Sequence, residues 1–276
     1  MNSIAVPAKV LLIGEYAVVE GGRALLAALK PAFVFQSKSG GAKSHPQSPL
    51  GCYLVQNNSS FTIEVLDKGL GAGFGTSTAE LIAGSSLLND KLPETDVLWD
   101  WYRSQYPEAS GADLITQLAA LHTGECFFRV EVGIFKKLKR SVLMKEILIF
   151  RSKPEDKLFT HEALAQKRQP LDLNLTNHWL AQVETAFTEV SLQGLVAFNE
   201  FADYLSSLKL ETPRAHRIRM DFLDDSGVVA VKGCGAGLND VFLVVKTATD
   251  HDDKSIQTIA LKHELTYVGT LEESLW

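Results

Sequence analysis

The sequence has few cysteines, and their spacing pairs none of them. Cys52, Cys126 and Cys234 are odd in number and scattered, with no Cys-x-x-Cys pattern. That argues against a zinc site and a disulfide framework and fits a reducing compartment. Long apolar runs are missing as well: no segment approaches the roughly 20 residues that span a bilayer. The N-terminal Met-Asn-Ser-Ile-Ala-Val-Pro-Ala-Lys has no signal-peptide core. Basic charge is not in excess, because 27 Lys and Arg face 33 Asp and Glu and leave a net charge of −6. This balance argues against nucleic acid or an anionic membrane as the partner, but not against a local basic pocket for a small anion. The expectation is a soluble, cytoplasmic protein, monomer or homodimer, that handles a small molecule.

With 276 residues, 46% of them hydrophobic, the chain can bury one or two cores, and two domains are expected. The polar stretch 151–177, which holds Pro154 and Pro170, is the expected junction, giving domains of 1–170 and 171–276. No internal repeat and no low-complexity tract is present.

The chain is organised around the stretch from Gly69 to Leu88. Phe61, Ile63 and Val65 alternate with polar residues as in a strand with one buried face. Gly69, Gly71, Gly73 and Gly75 follow at every second position, and Ala79, Ile82, Ala83 and Leu87 then recur at helical spacing, with Thr76 or Ser77 as the expected N-cap. Strand, glycine loop and helix N-terminus together form a ready phosphate site, because glycine lets backbone N–H groups turn inward and the helix adds free donors. No Gly-Lys-Ser/Thr closes the loop, so it is not a Walker A motif. The glycine spacing does not fit a dinucleotide fold. A glycine turn feeding an ordinary capped helix is the alternative.

In chain order, residues 4–19 read as a pair of strands broken at Gly14-Glu15-Tyr16, with Lys9 at the mouth of the first. Residues 37–60 read as an aperiodic polar loop or lid. A short helix over 93–110 carries Trp99, Trp101 and Tyr102. A further helix runs from Asp113 to near Gly124, where Ser110 and Asp113 resemble a capping box. Alternation around Phe128–Ile134 and Leu143–Ile149 reads as a hairpin tipped by Lys136-Lys137-Leu138-Lys139-Arg140. Beyond the junction, helices cover 180–190, 192–205 and 214–223. Strands at 228–231 and 241–245 are joined by a second glycine-rich turn, and a helix near 256–260 and a strand at 266–268 close the chain. The alternation of elements makes the class α/β or α+β.

Taken in this order, the pieces resemble the GHMP kinases, the superfamily of galactokinase, homoserine kinase, mevalonate kinase and phosphomevalonate kinase. Pro7-Ala8-Lys9 leading to Gly14-Glu15-Tyr16 is similar to the first motif, with Ala8 in place of glycine. Gly71-Ala72-Gly73-Phe74-Gly75-Thr76-Ser77-Thr78-Ala79 resembles the ATP phosphate loop. Ser110-Gly111-Ala112-Asp113 resembles the element that carries the catalytic aspartate. Lys232 to Asp240 resembles the third motif, with Leu238 and Asn239 in place of two glycines. Gly-Glu-Tyr at 14–16, Leu114 after the aspartate and Phe127-Phe128-Arg129 lean towards phosphomevalonate kinase.

The resemblance implies an α+β, two-domain GHMP kinase fold with a ribosomal protein S5 domain 2-like N-terminal domain and a ferredoxin-like C-terminal domain. It implies ATP and Mg²⁺ as cofactors, with Lys9 and Asp113 catalytic, and Gly71, Gly73, Gly75, Thr76, Ser77 and Thr78 on the ATP phosphates. Ser77 is implied on the metal, and Glu15, Tyr16, Ser110, Gly235, Ala236 and Gly237 on the substrate side. The position matching the metal-binding glutamate of mevalonate kinase is Tyr102, and Glu80 or Glu108 stand as replacements. A mevalonate kinase, a diphosphomevalonate decarboxylase-like enzyme and a catalytically silent nucleotide-binding protein are the rival readings.

Overall fold

The computed structural model describes residues 2–38, 44–71, 73–153, 170–235, 238–247 and 253–276. The chain divides into two compact units, one of Met1–Val10, Leu26–Lys137 and Trp276, the other of Leu11–Leu25 and Leu138–Leu275. Most of the expected junction lies outside the described residues.

The first unit is built on a five-stranded sheet. Strands β1 (Ser3–Ile13), β2 (Arg23–Lys38), β4 (Phe127–Glu131) and β5 (Ile134–Lys137) follow one another across it, and β3 (Thr62–Lys68) pairs with β2. Helices α1 (Pro49–Gln56), α2 (Thr76–Asn89), α3 (Thr95–Gln105) and α4 (Ala112–Thr123) complete the unit. Phe33 and Phe35 of β2, Phe74, Leu81 and Ile82 around α2, Leu114, Ile115 and Leu118 of α4 and Phe128 of β4 are buried together as its core. Helix α1 lies within the stretch read as an aperiodic loop. The hydroxyl of Ser48 accepts from Gly51 N–H, and Pro49 opens the first turn, a start signal that the surrounding Ser, Pro and Asn obscure. The second strand expected at 17–19 is instead a series of turns, with Val18 N–H donating to Gly14 O and Glu20 N–H to Ala17 O.

The second unit carries a four-stranded antiparallel sheet in the order β7 (Val228–Cys234), β8 (Val241–Lys246), β6 (Ile147–Arg151), β9 (Thr266–Thr270). Helices α5 (Leu173–Glu189), α6 (Ala197–Ser207), α7 (Pro213–Leu223) and α8 (Lys254–Lys262) accompany it, with a last turn, α9 (Leu271–Ser274). Strand β8 is central, so Val241, Phe242, Leu243, Val244 and Val245 are all fully buried. Its sequence is accordingly a continuous apolar run rather than an alternation. The hairpin expected across 128–149 is corrected here. Strand β4 pairs with β5 through a turn at Val132 and Gly133, while β6 pairs with β8 and β9. The alternation at 143–149 was that of a strand belonging to the other sheet, and the basic run begins in the last two residues of β5 and continues past it instead of tipping a hairpin.

An ion-pair cluster ties α6 to α7. Arg219 is fully buried; its Nε donates to Glu211 Oε1 at 2.9 Å and its Nη2 to Asp203 Oδ1 at 2.7 Å. The Glu211 side chain is itself buried. Removing one partner of such a pair strands the other charge, which costs about 3–5 kcal/mol. Arg219→Met is therefore expected to lower the unfolding free energy by about that amount in urea titration, and a loss below about 1 kcal/mol would place the cluster among surface pairs.

Candidate functional site

In the first unit the glycine loop, β1 and α4 meet at one point. Gly71, Gly73 and Gly75 all have left-handed backbones, at φ of 81°, 87° and 88°. Gly75, not Thr76 or Ser77, is the N-cap of α2, and no side chain caps that helix. The expected cap residues fall inside the first turn, where Thr76 Oγ1 donates to Gly71 O and Thr78 Oγ1 to Gly75 O. The first N–H groups of α2 are thus left for a ligand. Space at Gly75 is fully used: a Cβ there would lie 3.0 Å from both Lys9 Cγ and Gln117 Nε2.

Lys9 is held from both ends. Its backbone N–H donates to Phe74 O at 2.9 Å, and its Nζ lies 3.0 Å from Asp113 Oδ2. The lysine side chain is 10% exposed and the aspartate 35%, so one oxyanion face stays open to solvent while the ammonium is mostly covered. Asp113 is in the first turn of α4, whose N-cap is Gly111 at φ +69° with no side-chain cap. The capping box read from Ser110 and Asp113 is therefore overturned. Ser110 Oγ does accept from Ala112 N–H at 3.2 Å, but the Asp113 carboxylate pairs with Lys9, a stronger partner than a neutral amide.

Gln117 was not anticipated. One turn beyond Asp113 and fully buried, it donates from Nε2 to Pro7 O at 2.8 Å and to Gly75 O at 3.2 Å, and accepts from Thr78 Oγ1 at 2.6 Å. A single amide thus joins β1, the glycine loop and α2 to α4. Its signal was a polar pair, Thr116 and Gln117, inside the otherwise apolar run Leu114 to Ala120. Glu80 is half-buried on α2, and burial pushes its carboxyl pKa up. Ser77 is exposed at the same helix end.

The second unit gathers the other predicted residues. Glu15 and Tyr16 lie in the turn after β1, Tyr16 buried and at φ 61°. Fully buried Lys232 donates to Glu15 Oε1, to Gly233 O at 2.8 Å and to Cys234 Sγ at 3.4 Å. Burial opposes the Lys232 charge, but Cys234 and Glu15 outweigh it and hold its pKa above the usual lysine value. Gly235 is left-handed, and a Cβ on it would meet Asp240 Oδ2 at 2.2 Å. Leu238 takes φ +56° with its side chain buried, and Asn239 Oδ1 accepts from Arg214 Nη1 at 2.9 Å. Side chains with partners of their own thus occupy the positions of the two missing glycines. Ala236 and Gly237 lie outside the described residues.

No family model and no curated protein matches the sequence. Solved structures match over nearly the full length. The Methanococcus jannaschii mevalonate kinase is 17% identical at a TM-score of 0.67, with 96% of each chain covered. The Streptococcus pneumoniae phosphomevalonate kinase, in complex with phosphomevalonate and AMPPNP, is 14% identical at 0.70, covering 97% of this chain and 98% of that one. The Lactococcus lactis galactokinase complexed with galactose is 12% identical at 0.72, covering 98% and 93%. The chain has the GHMP kinase fold. At these identities the likeness establishes architecture, and the chemistry rests on the residues.

Those residues fit the groups that a GHMP kinase fold implies. The left-handed glycines and the uncapped α2 N-terminus leave backbone N–H groups free, an arrangement suited to polyphosphate. Among the described residues no group of three or more His, Cys, Asp or Glu is placed to hold a metal. That is compatible with a magnesium ion carried mainly by phosphates and water, needing few protein ligands. No helix among the described residues is long and apolar enough to cross a membrane.

Gln117→Leu keeps the volume and removes three hydrogen bonds at a fully buried position. It is expected to destabilise the protein by about 1–3 kcal/mol in denaturant unfolding, and an unchanged midpoint would show that the amide does not link these elements.

Proposed function

We propose that the protein is a GHMP-type kinase that transfers the γ-phosphoryl group of Mg-ATP to a mevalonate-pathway acceptor, phosphomevalonate. The observation that carries this reading is the Lys9–Asp113 pair, 3.0 Å apart, beside a glycine loop whose left-handed Gly75 packs tightly on Lys9 and Gln117. Phosphoryl transfer asks a protein mainly for positioning and for stabilisation of developing charge. A binding module would need the loop but not the paired lysine and aspartate.

Mg-ATP supplies the phosphoryl group and shields its charge when bound. The glycines from Gly71 to Gly75, with Thr76, Ser77 and Thr78, would hold the phosphates, and the Ser77 hydroxyl would be a ligand for the metal. Asp113 accepts the proton of the acceptor oxygen, or orients that oxygen where it is already ionised. Lys9 pairs with the Asp113 carboxylate and stabilises the negative charge that develops beside it. Ser110 lines the acceptor side. The phosphomevalonate-bound S. pneumoniae structure supports the choice of acceptor. The turn at 14–16, which reads Gly-Glu-Tyr, points the same way.

The test is ADP release from Mg-ATP with mevalonate, phosphomevalonate, galactose and homoserine offered separately. Turnover is expected with phosphomevalonate, and Asp113→Asn is expected to lower kcat by about 10²–10⁴-fold. Turnover with another acceptor would correct the substrate. Mg-ATP binding without turnover on any of the four would favour a nucleotide-binding protein.

A further inference from the structure

Helix α3 closes over the N-terminus of α4 with two aromatic side chains one turn apart, Trp99 and Tyr102. A Cβ on Gly111 would lie 2.7 Å from Trp99 Nε1 and 3.7 Å from Tyr102 Cδ1. Gly111 is also left-handed, so space and backbone both demand glycine there. This packing sets the two rings beside the turn that carries Asp113.

Two donors are left over. Trp99 Nε1 is buried with no hydrogen-bond partner among the described residues. The Tyr102 side chain is half-buried, with its hydroxyl still open to a ligand. Burial, and after it the charge of Asp113, push the Tyr102 phenol up to about 12, with Arg103 acting in the opposite sense. The hydroxyl is therefore protonated throughout the physiological range and lies within the field of the carboxylate. Donors also outnumber acceptors around it. Lys9 balances Asp113 charge for charge, Ser110 Oγ accepts from Ala112 N–H and keeps its own proton to give, and no side chain caps α4. A buried donor left unmade is costly, and Trp99 Nε1 is one, so a ligand that supplies anionic oxygens gains most at this place.

We infer that Tyr102 is an acceptor-binding residue: its hydroxyl donates a hydrogen bond to an anionic oxygen of the acceptor held beside Asp113. The subsite thereby favours acceptors that carry phosphate or carboxylate over neutral ones. The identity of the acceptor rests on the kinase reading; the donor role of Tyr102 does not.

Tyr102→Phe keeps the ring on Gly111 and removes one O–H. Calorimetric titration of phosphomevalonate, mevalonate and galactose into the AMPPNP-loaded protein reads acceptor affinity, and parallel turnover assays read the kinase activity. The wild type is expected to bind both anions more tightly than galactose. Tyr102→Phe is expected to raise the Kd of the better anion about tenfold or more, while AMPPNP affinity stays within about twofold and the melting temperature is unchanged. Loss with phosphomevalonate alone would identify phosphate as the oxygen source, and loss with both would identify the shared carboxylate. Equal acceptor affinity in the variant, parallel weakening of AMPPNP, or a wild type that binds none of the three or prefers galactose would overturn the inference. Anion binding that depends on Tyr102 without turnover would contradict the kinase reading and leave the inference standing. Turnover with an unchanged acceptor KM in the variant would do the reverse.

Discussion

Gly75 has no side chain, and three elements meet where one would be. The Lys9 stem from β1 and the Gln117 amide from α4 both reach the space its Cβ would occupy. The left-handed backbone that glycine permits turns the chain into α2 without a capping side chain. If Gly75 carried a methyl group, Lys9 or Gln117 would have to move by several tenths of an ångström. Each holds something the site needs: Lys9 holds the Asp113 carboxylate, and Gln117 holds Pro7, Gly75 and Thr78. The form of the glycine loop and the charged pair are thus consequences of one packing constraint.

The second unit solves a comparable problem with charge. Lys232 has no exposed surface, so its ammonium persists only because Glu15, Gly233 O and Cys234 surround it. This ties the turn after β1 to the end of β7. The adjoining turn departs from an all-glycine pattern, yet Leu238 fills core space and Asn239 is fastened to Arg214. The departure is accommodated by side-chain packing, at the cost of a left-handed leucine.

Much of this was legible in the sequence wherever the signal was local. Strand, glycine loop and helix followed from period and composition, and β8 was readable as a buried run because side chains on both its faces are buried. The errors arose where a distant partner decided the outcome. Asp113 looks like a capping-box residue until Lys9, from the other end of the sequence, competes for its carboxylate. Thr76 and Ser77 look like caps, but the left-handed Gly75 takes that position. The alternation at 143–149 was a true strand signal, but alternation does not say which sheet a strand joins. Gln117 carried no motif at all; only the positions of Pro7, Gly75 and Thr78 give its amide a purpose.

The central claim is that Lys9 and Asp113 act as one unit in phosphoryl transfer. A double-mutant cycle on Lys9→Met and Asp113→Asn, read in kcat/KM for the acceptor, tests it most directly. The account predicts strong non-additivity: each single change is severe, and the double variant is little worse than the poorer single, a coupling of about 1.5 kcal/mol or more. Additive losses, or a Lys9→Met variant that keeps near-normal kcat/KM, would contradict it.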